Sequence, residues 1–326
     1  MRTAAERMSQ AEGAVARWRE AYGVPPDPAA DPNRTGLIGP EYDELFTTLG
    51  SPEAKRTATT PDVAALLVHL LERAGVKRED TVAIAASGSF PALLVATLTA
   101  AEALGAHPVA VLSVGASSFG LTDPAFHLLD LHRVLVEEGV VRTPPAAVSL
   151  GGMGDAGEEW DPEVRERLLA RLRASGVPLI LEAGLAASVA RRMEVFGCAA
   201  PAHCRPAAFV NVGGADANIG TSPTLLSLRP GLHDPDDVPV PPEPQRGALH
   251  EMAAAGVPVI HLLDMKGLAG RHGLPWDPMP LPGPGTTRLL RGDAPRSPLL
   301  GAIAGAWLAA MVFLAAVGAP RRSRCA

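Results

Sequence analysis

Aromatic side chains are scarce in this chain, with 4 Trp, 2 Tyr and 7 Phe among 326 residues. The apolar residues are instead largely Ala, Val and Leu, a supply that suits buried parallel strands covered by Ala- and Leu-rich helices. Basic residues are in deficit. The formal net charge is −6, and the three arginines after Pro298 come with no acid, so residues 1–296 hold 26 basic against 35 acidic side chains. That excess excludes nonspecific nucleic-acid binding and requires any polyanion to be met by a local basic cluster. Lys55 and Arg56, with Arg34, come nearest to such a cluster. No two histidines have the His-x-x-x-His spacing of a metal site. Only three cysteines occur. Cys198 and Cys204 are near enough for a small disulfide loop, and two unpaired cysteines are an equal reading; with His203 they are too few for zinc, and Cys325 reads as a tail residue.

What the chain does have is strands that end in very small residues. Predicted strand 81–86 runs into Ser87-Gly88-Ser89, strand 146–150 into Gly151-Gly152, and strand 207–211 into Val212-Gly213-Gly214. In an open parallel sheet the strand carboxyl ends share one edge, and ligands bind in the crevice there. Helices predicted at 62–74, 91–104, 124–138, 162–174, 185–195 and 246–255 alternate with further strands at 109–114, 178–181 and 258–263. The fold class expected is α/β: a mostly parallel sheet with flanking helices, Rossmann-like and three-layered. An N-terminal helix (3–22) and a Pro/Gly-rich arm fill residues 1–50, the α/β body 51–274, and a Pro-rich tether 275–298.

The first loop is the clearest site candidate. Ser87, Gly88 and Ser89 open a helix and can bind phosphate or carboxylate, or serve as an ordinary cap. As a nucleophile Ser87 lacks the Gly-x-Ser-x-Gly elbow. The second loop offers Gly151 and Gly152 with Asp155, Glu158 and Glu159 behind, as a general base, a cation site or a solvated acidic turn. Glu182, immediately after a strand, is placed on the sheet edge. In the third loop Asn211, Gly213, Gly214, Asp216 and Asn218 make a polar turn suited to an amide-bearing ligand, or a purely structural one; it carries no dinucleotide fingerprint. The catalytic candidates are therefore Ser87, Glu182, Asp155 and Asp216, and His261 and Asp264 lie near another strand end. No cofactor is specified, and no metal is expected.

From Leu299 to Val317 no residue is charged, and Pro298 and Pro320 bracket the run. That length matches a single transmembrane helix, followed by a basic tail, 318–326; a buried terminal helix is the alternative. Arginines flank both ends, so the positive-inside count is nearly tied. No apolar signal segment follows Met1, so either the body is cytoplasmic and tail-anchored or an N-terminal anchor is missing.

Several blocks resemble a known family. Asp31-Pro32-Asn33-Arg34-Thr35-Gly36-Leu37-Ile38-Gly39-Pro40-Glu41-Tyr42, then Thr47-Thr48-Leu49-Gly50, Glu53-Ala54-Lys55-Arg56-Thr57 and Ala86-Ser87-Gly88-Ser89-Phe90-Pro91-Ala92-Leu93, look like the bacterial family called poly-γ-glutamate system protein. Residues 148–152, 209–220, 256–263 and 273–278 fit the same pattern, so the likeness runs from about Asp31 to Pro282. It implies a place in capsule or secreted poly-γ-glutamate synthesis and export, with membrane subunits and the polymer itself as partners. It brings no catalytic residues with it, so three readings stand: a membrane-anchored accessory that binds a ligand in the cleft, a hydrolase or transferase acting on the polymer's amide bonds, and a phosphosugar- or nucleotide-binding domain. It also implies an N-terminal membrane anchor, and this charged N-terminus starts where such an anchor would end; an extracytoplasmic body follows if one precedes it.

Overall fold

The computed structural model describes residues 1–200, 204–291 and Trp307. Its body is a seven-stranded sheet: β1 (Thr81–Ser87), β2 (His107–Ser113), β3 (Ala147–Ser149), β4 (Leu179–Ile180), β5 (Ala208–Val212), β6 (Gly231–His233) and β7 (Val259–Leu262). The order is β4-β3-β2-β1-β5-β7-β6, and every pairing is parallel except β6 on β7. The α/β class and the parallel sheet are as expected. Strand β6 is not foreseen: its three residues lie in a proline-rich stretch too short to show alternation.

Alternation on the central strands explains the three layers. Val82, Ile84 and Ala86 of β1 join a core with α1 (Arg2–Ala21), α3 (Asp62–Arg73), α4 (Pro91–Leu104), α5 (Leu128–Glu137) and α6 (Pro162–Ala174). Ala83 and Ala85 face the other side, where Phe209 packs with α7 (Leu185–Val195), α8 (Asp216–Ile219) and α9 (Ala248–Ala254). A period of two sends successive side chains to opposite faces, and both faces are covered, so the strand reads as continuously apolar. Helix α4 is apolar all round because it is buried all round: α1 and α3 pack over it, with Ala4, Met8, Ala11 and Val15 of α1 fully enclosed.

The topology locates the candidate edge. From β1 the chain winds outward through β2, β3 and β4, then returns to place β5 on the opposite side of β1. The direction of winding reverses between β1 and β5, and a crevice opens outside their carboxyl ends.

One connecting segment closes over it, and a second reaches it at Trp276. Residues 37–50 are stitched to the loop after β2: Thr47 N–H donates to the Ala116 carbonyl at 2.9 Å and Ser118 N–H to that of Thr48 at 2.9 Å. The short α2 (Pro52–Ala58) follows, capped by Ser51, whose hydroxyl accepts from Ala54 N–H at 3.2 Å. The second segment begins after α10 (Met265–His272). Residues 275–287, expected as part of an extended tether, lie on the body instead. Arg56 holds Asp277 through contacts of 2.6 and 2.7 Å. The Asp62 carboxylate accepts from Gly285 N–H at 2.6 Å and Thr287 N–H at 2.9 Å. Polar anchors of this kind, 220 or more residues apart in sequence, leave no trace in a proline-rich composition. The short α11 (Arg288–Arg291) ends the continuous described region.

The apolar run 299–317 and the basic tail 318–326 lie outside the described residues. Among the described residues, no helix is long and apolar enough to cross a membrane. Cys198 and Cys204 are joined as a disulfide, the first of the two readings.

Candidate functional site

A cavity of about 830 Å³ occupies the crevice, within the usual range for small-molecule sites. Ser87 and Ser89 from the β1 loop, Gly115 and Ser117 from the β2 loop, Gly152 from the β3 loop and Gly214 and Asp216 from the β5 loop all reach it. So the three small-residue loops do meet, and a fourth, after β2, joins them. The segment 47–55 and residues Asp264, Lys266 and Trp276 supply the remaining walls.

Ser87 ends β1 and is 2% exposed, yet its Oγ has no hydrogen-bond partner among the described residues. A β-carbon on Gly213 would stand 2.3 Å from that oxygen. Gly213, at φ 84°, therefore lets the β5 loop pass directly over the hydroxyl, for which any side chain is too large. Ser89 is held differently: its Oγ accepts from Ser117 N–H at 3.0 Å. The fourteen-residue α4 begins just beyond, at Phe90-Pro91, directing its positive end to the same floor.

The cation on this floor is Lys55. It projects from α2, is 2% exposed, and its Nζ donates to the Ser89 carbonyl and, at 2.7 Å, to Ser117 Oγ. It also lies 3.9 Å from the centre of the Phe90 ring. Burial brings its pKa down to about 7, so amine and ammonium coexist near neutrality. The expected basic cluster is otherwise divided, because Arg56 is engaged with Asp277. In sequence Lys55 reads as one member of a basic cluster with Arg56 and Arg34, and nothing there marks it as buried. Its burial follows from where the short α2 is pinned.

Carboxylates surround this floor. Glu53, Glu159, Asp216 and Asp264 line the cavity against Lys55 and Lys266. The Ser51 hydroxyl holds the Glu53 carboxyl below its ordinary value. Burial raises that of Asp216, against a lowering contact from Gly154 N–H, and the charges of Glu159 and Asp155 raise it further. Glu159 accepts from Met153 N–H at 2.8 Å, and Asp264 caps α10 by accepting from Gly267 N–H at 2.9 Å. Among the described residues no group of His, Cys, Asp and Glu is arranged to hold a metal ion.

Other predicted residues lie elsewhere. Asp155 is buried in a bidentate ion pair with Arg192, at 2.6 and 2.9 Å, and does not line the cavity. Its task is to neutralise a fully buried guanidinium. Glu182 is exposed beside β4, the edge strand three places from β1, too far along the sheet to share the crevice. Asn211 is fully buried, its amide donating to the Gly213 carbonyl at 2.9 Å and facing His261 Nδ1 at 3.0 Å. Burial holds His261 down at about 4. Asn218 is likewise buried, and Gly88 and Gly151 shape their loops from behind without reaching the cavity surface. The run Gly152-Met153-Gly154-Asp155-Ala156-Gly157 has the spacing of a dinucleotide fingerprint. Here it follows the third strand and forms a 3-10 turn, with α6 starting only at Pro162, so no helix opens directly onto it.

None of the family models, curated proteins or solved structures compared with this chain matches it.

Proposed function

We propose that this protein is an accessory of bacterial poly-γ-glutamate synthesis and export that holds a short stretch of γ-glutamyl chain in the strand-end cleft. The observation that carries the reading is the floor built by Lys55 and the start of α4, which together form a site for one carboxylate. The residue blocks between Asp31 and Pro282 that resemble the poly-γ-glutamate system family supply the pathway. The acidic rim limits the occupant. Four carboxylates repel a long polyanion, whereas a chain end bearing one ammonium group satisfies floor and rim together. The apolar run 299–317 is the segment that would keep the cleft beside membrane subunits of the synthesis machinery. The Cys198–Cys204 bond supports an oxidising compartment, and with it an extracytoplasmic body.

The test is calorimetry on the full-length protein in detergent micelles, titrated with a γ-glutamyl oligomer of defined length. Saturable binding is expected, weakened at least about tenfold by Lys55→Met, equivalent to roughly 1.4 kcal/mol. Absence of binding to the wild type, or binding indifferent to Lys55, overturns the reading. A second reading, an enzyme acting on the polymer's amide bonds, gains support from the contact between Lys55 and Ser117.

A further inference from the structure

The cavity floor carries a pairing that simple ligand binding does not require. Lys55 Nζ stands 2.7 Å from Ser117 Oγ, and Ser117, 7% exposed, lines the same cavity. Both partners are fixed through Ser89. Its carbonyl accepts from Lys55 Nζ, and its hydroxyl accepts from Ser117 N–H. Among the described residues no carboxylate is within ion-pair distance of Lys55, so the ammonium is held by a carbonyl, a hydroxyl and the face of the Phe90 ring with no counter-charge. Glu53, on the same helix, and Glu159, Asp216, Asp264 and Lys266, from the loops around it, share the cavity. Burial alone accounts for the lowered pKa, and none of these charges offsets it. A lysine that is an amine for much of the time near neutrality can accept a proton. A serine hydroxyl at hydrogen-bond distance can give one.

We propose that Ser117 and Lys55 form a serine–lysine dyad that hydrolyses an amide held in this cleft, with Ser117 as nucleophile and Lys55 as its general base. The proposal rests on the reading that the cleft holds an amide-bearing chain. Ser117 Oγ attacks the amide carbonyl carbon as its proton passes to Lys55 Nζ. The C–N bond breaks, the leaving nitrogen takes that proton and departs as an amine, and an ester to Ser117 remains. Water then attacks the ester, giving its proton to Lys55 Nζ. The ester C–O bond breaks, and the proton returns to Ser117 Oγ as the carboxylic acid leaves. The positive end of α4 lies on the same floor and is the group available to the oxyanion. No Gly-x-Ser-x-Gly elbow surrounds Ser117, and the base lies 62 residues away in sequence; such a dyad is recognised by geometry rather than by sequence position.

The test uses full-length protein in detergent micelles and diisopropyl fluorophosphate, with the modified residue located by peptide mass spectrometry. Ser117 is expected to be labelled, at a rate that rises with pH and levels off above about pH 7 as Lys55 loses its proton. Lys55→Met lowers the labelling rate by about 100-fold or more. Lys55→Arg, which keeps the charge but cannot act as a base, does the same and serves if the methionine variant does not fold. An unlabelled Ser117 in folded wild-type protein, or labelling unaffected by either substitution, overturns the dyad and leaves Lys55 as a clasp between two loops. Calorimetry with the γ-glutamyl oligomer separates the two ideas. Binding without Ser117 labelling refutes the dyad and keeps the ligand, whereas labelling without binding keeps the dyad and refutes the γ-glutamyl ligand.

Discussion

Arg192 and Lys55 are both buried bases surrounded by serines at the carboxyl ends of neighbouring strands, and they are built in opposite ways. Arg192 meets a carboxylate. Its guanidinium grips Asp155 with two contacts and donates further to Ser113, Ser149 and Ser188 at 2.7–2.9 Å. Ser188 donates to Asp155, and so does Ser149, at 2.8 Å. Lys55 meets no carboxylate among the described residues, only a carbonyl, a hydroxyl and an aromatic face, and the nearby Ser87 Oγ is left without a partner. Charge and hydrogen bonds are largely matched within the first cluster, which ties β2, β3 and α7 together. The second holds a base with no counter-charge among the described residues. Buried polar groups that find their partners inside the protein hold it together, and those left over point to a ligand.

The largest effect expected from breaking this contrast comes from Arg192→Leu. It leaves Asp155 buried without its counter-charge and costs about 3–5 kcal/mol, read as a lower midpoint in urea. Lys55→Met has the opposite sign. Removing an unpaired buried base relieves its desolvation and raises stability at pH 7 by about 1–3 kcal/mol, even as ligand affinity falls. A methionine variant less stable than wild type shows that Lys55 is a structural clasp.

The pH dependence sharpens the comparison further. Lys55 titrates at about 7 in the folded protein and near 10.5 when unfolded. Between those values the unfolded chain binds a proton that the folded chain does not. The stability deficit caused by Lys55 is therefore full below about pH 7 and shrinks as pH rises toward 10.5. The gap between wild type and Lys55→Met narrows correspondingly from pH 7 to pH 10 in denaturant titrations. A gap that stays constant rules out a lowered lysine pKa.

The smallest effects separate individual serines. Ser149→Ala removes a hydroxyl shared by Asp155 and Arg192 and costs about 1–2 kcal/mol. Ser87→Ala removes one that bonds to nothing in the described protein and changes stability by no more than about 0.5 kcal/mol in the same urea titrations. Equal losses in the two variants would erase the distinction between the two clusters.

Much of the frame is legible residue by residue. The run Thr81–Ser87 reads as a buried strand from its valine, isoleucine and alanines, and Ser87, Ser89, Gly152, Gly214 and Asp216 are marked as cleft residues by their places after strands. Glu182 follows a strand by the same rule and fails by position, because only the strand order reveals that β4 lies at the edge. Asp155 fails for another reason: its partner Arg192 is 37 residues away on α7, and nothing local announces the pair. Ser51 before Pro52 and Glu53 is a helix-start signal, yet a helix of seven residues has too few turns to display a buried stripe.

Local sequence determined the α/β class, the strand-end loops of small residues and the acidic balance of the body, since each follows from periodicity, backbone freedom or a count of charges. Tertiary structure alone decided which base would be neutralised and which left available. Burial and the nearest counter-charge set the chemistry of Arg192 and Lys55, and both depend on segments brought together from distant parts of the chain.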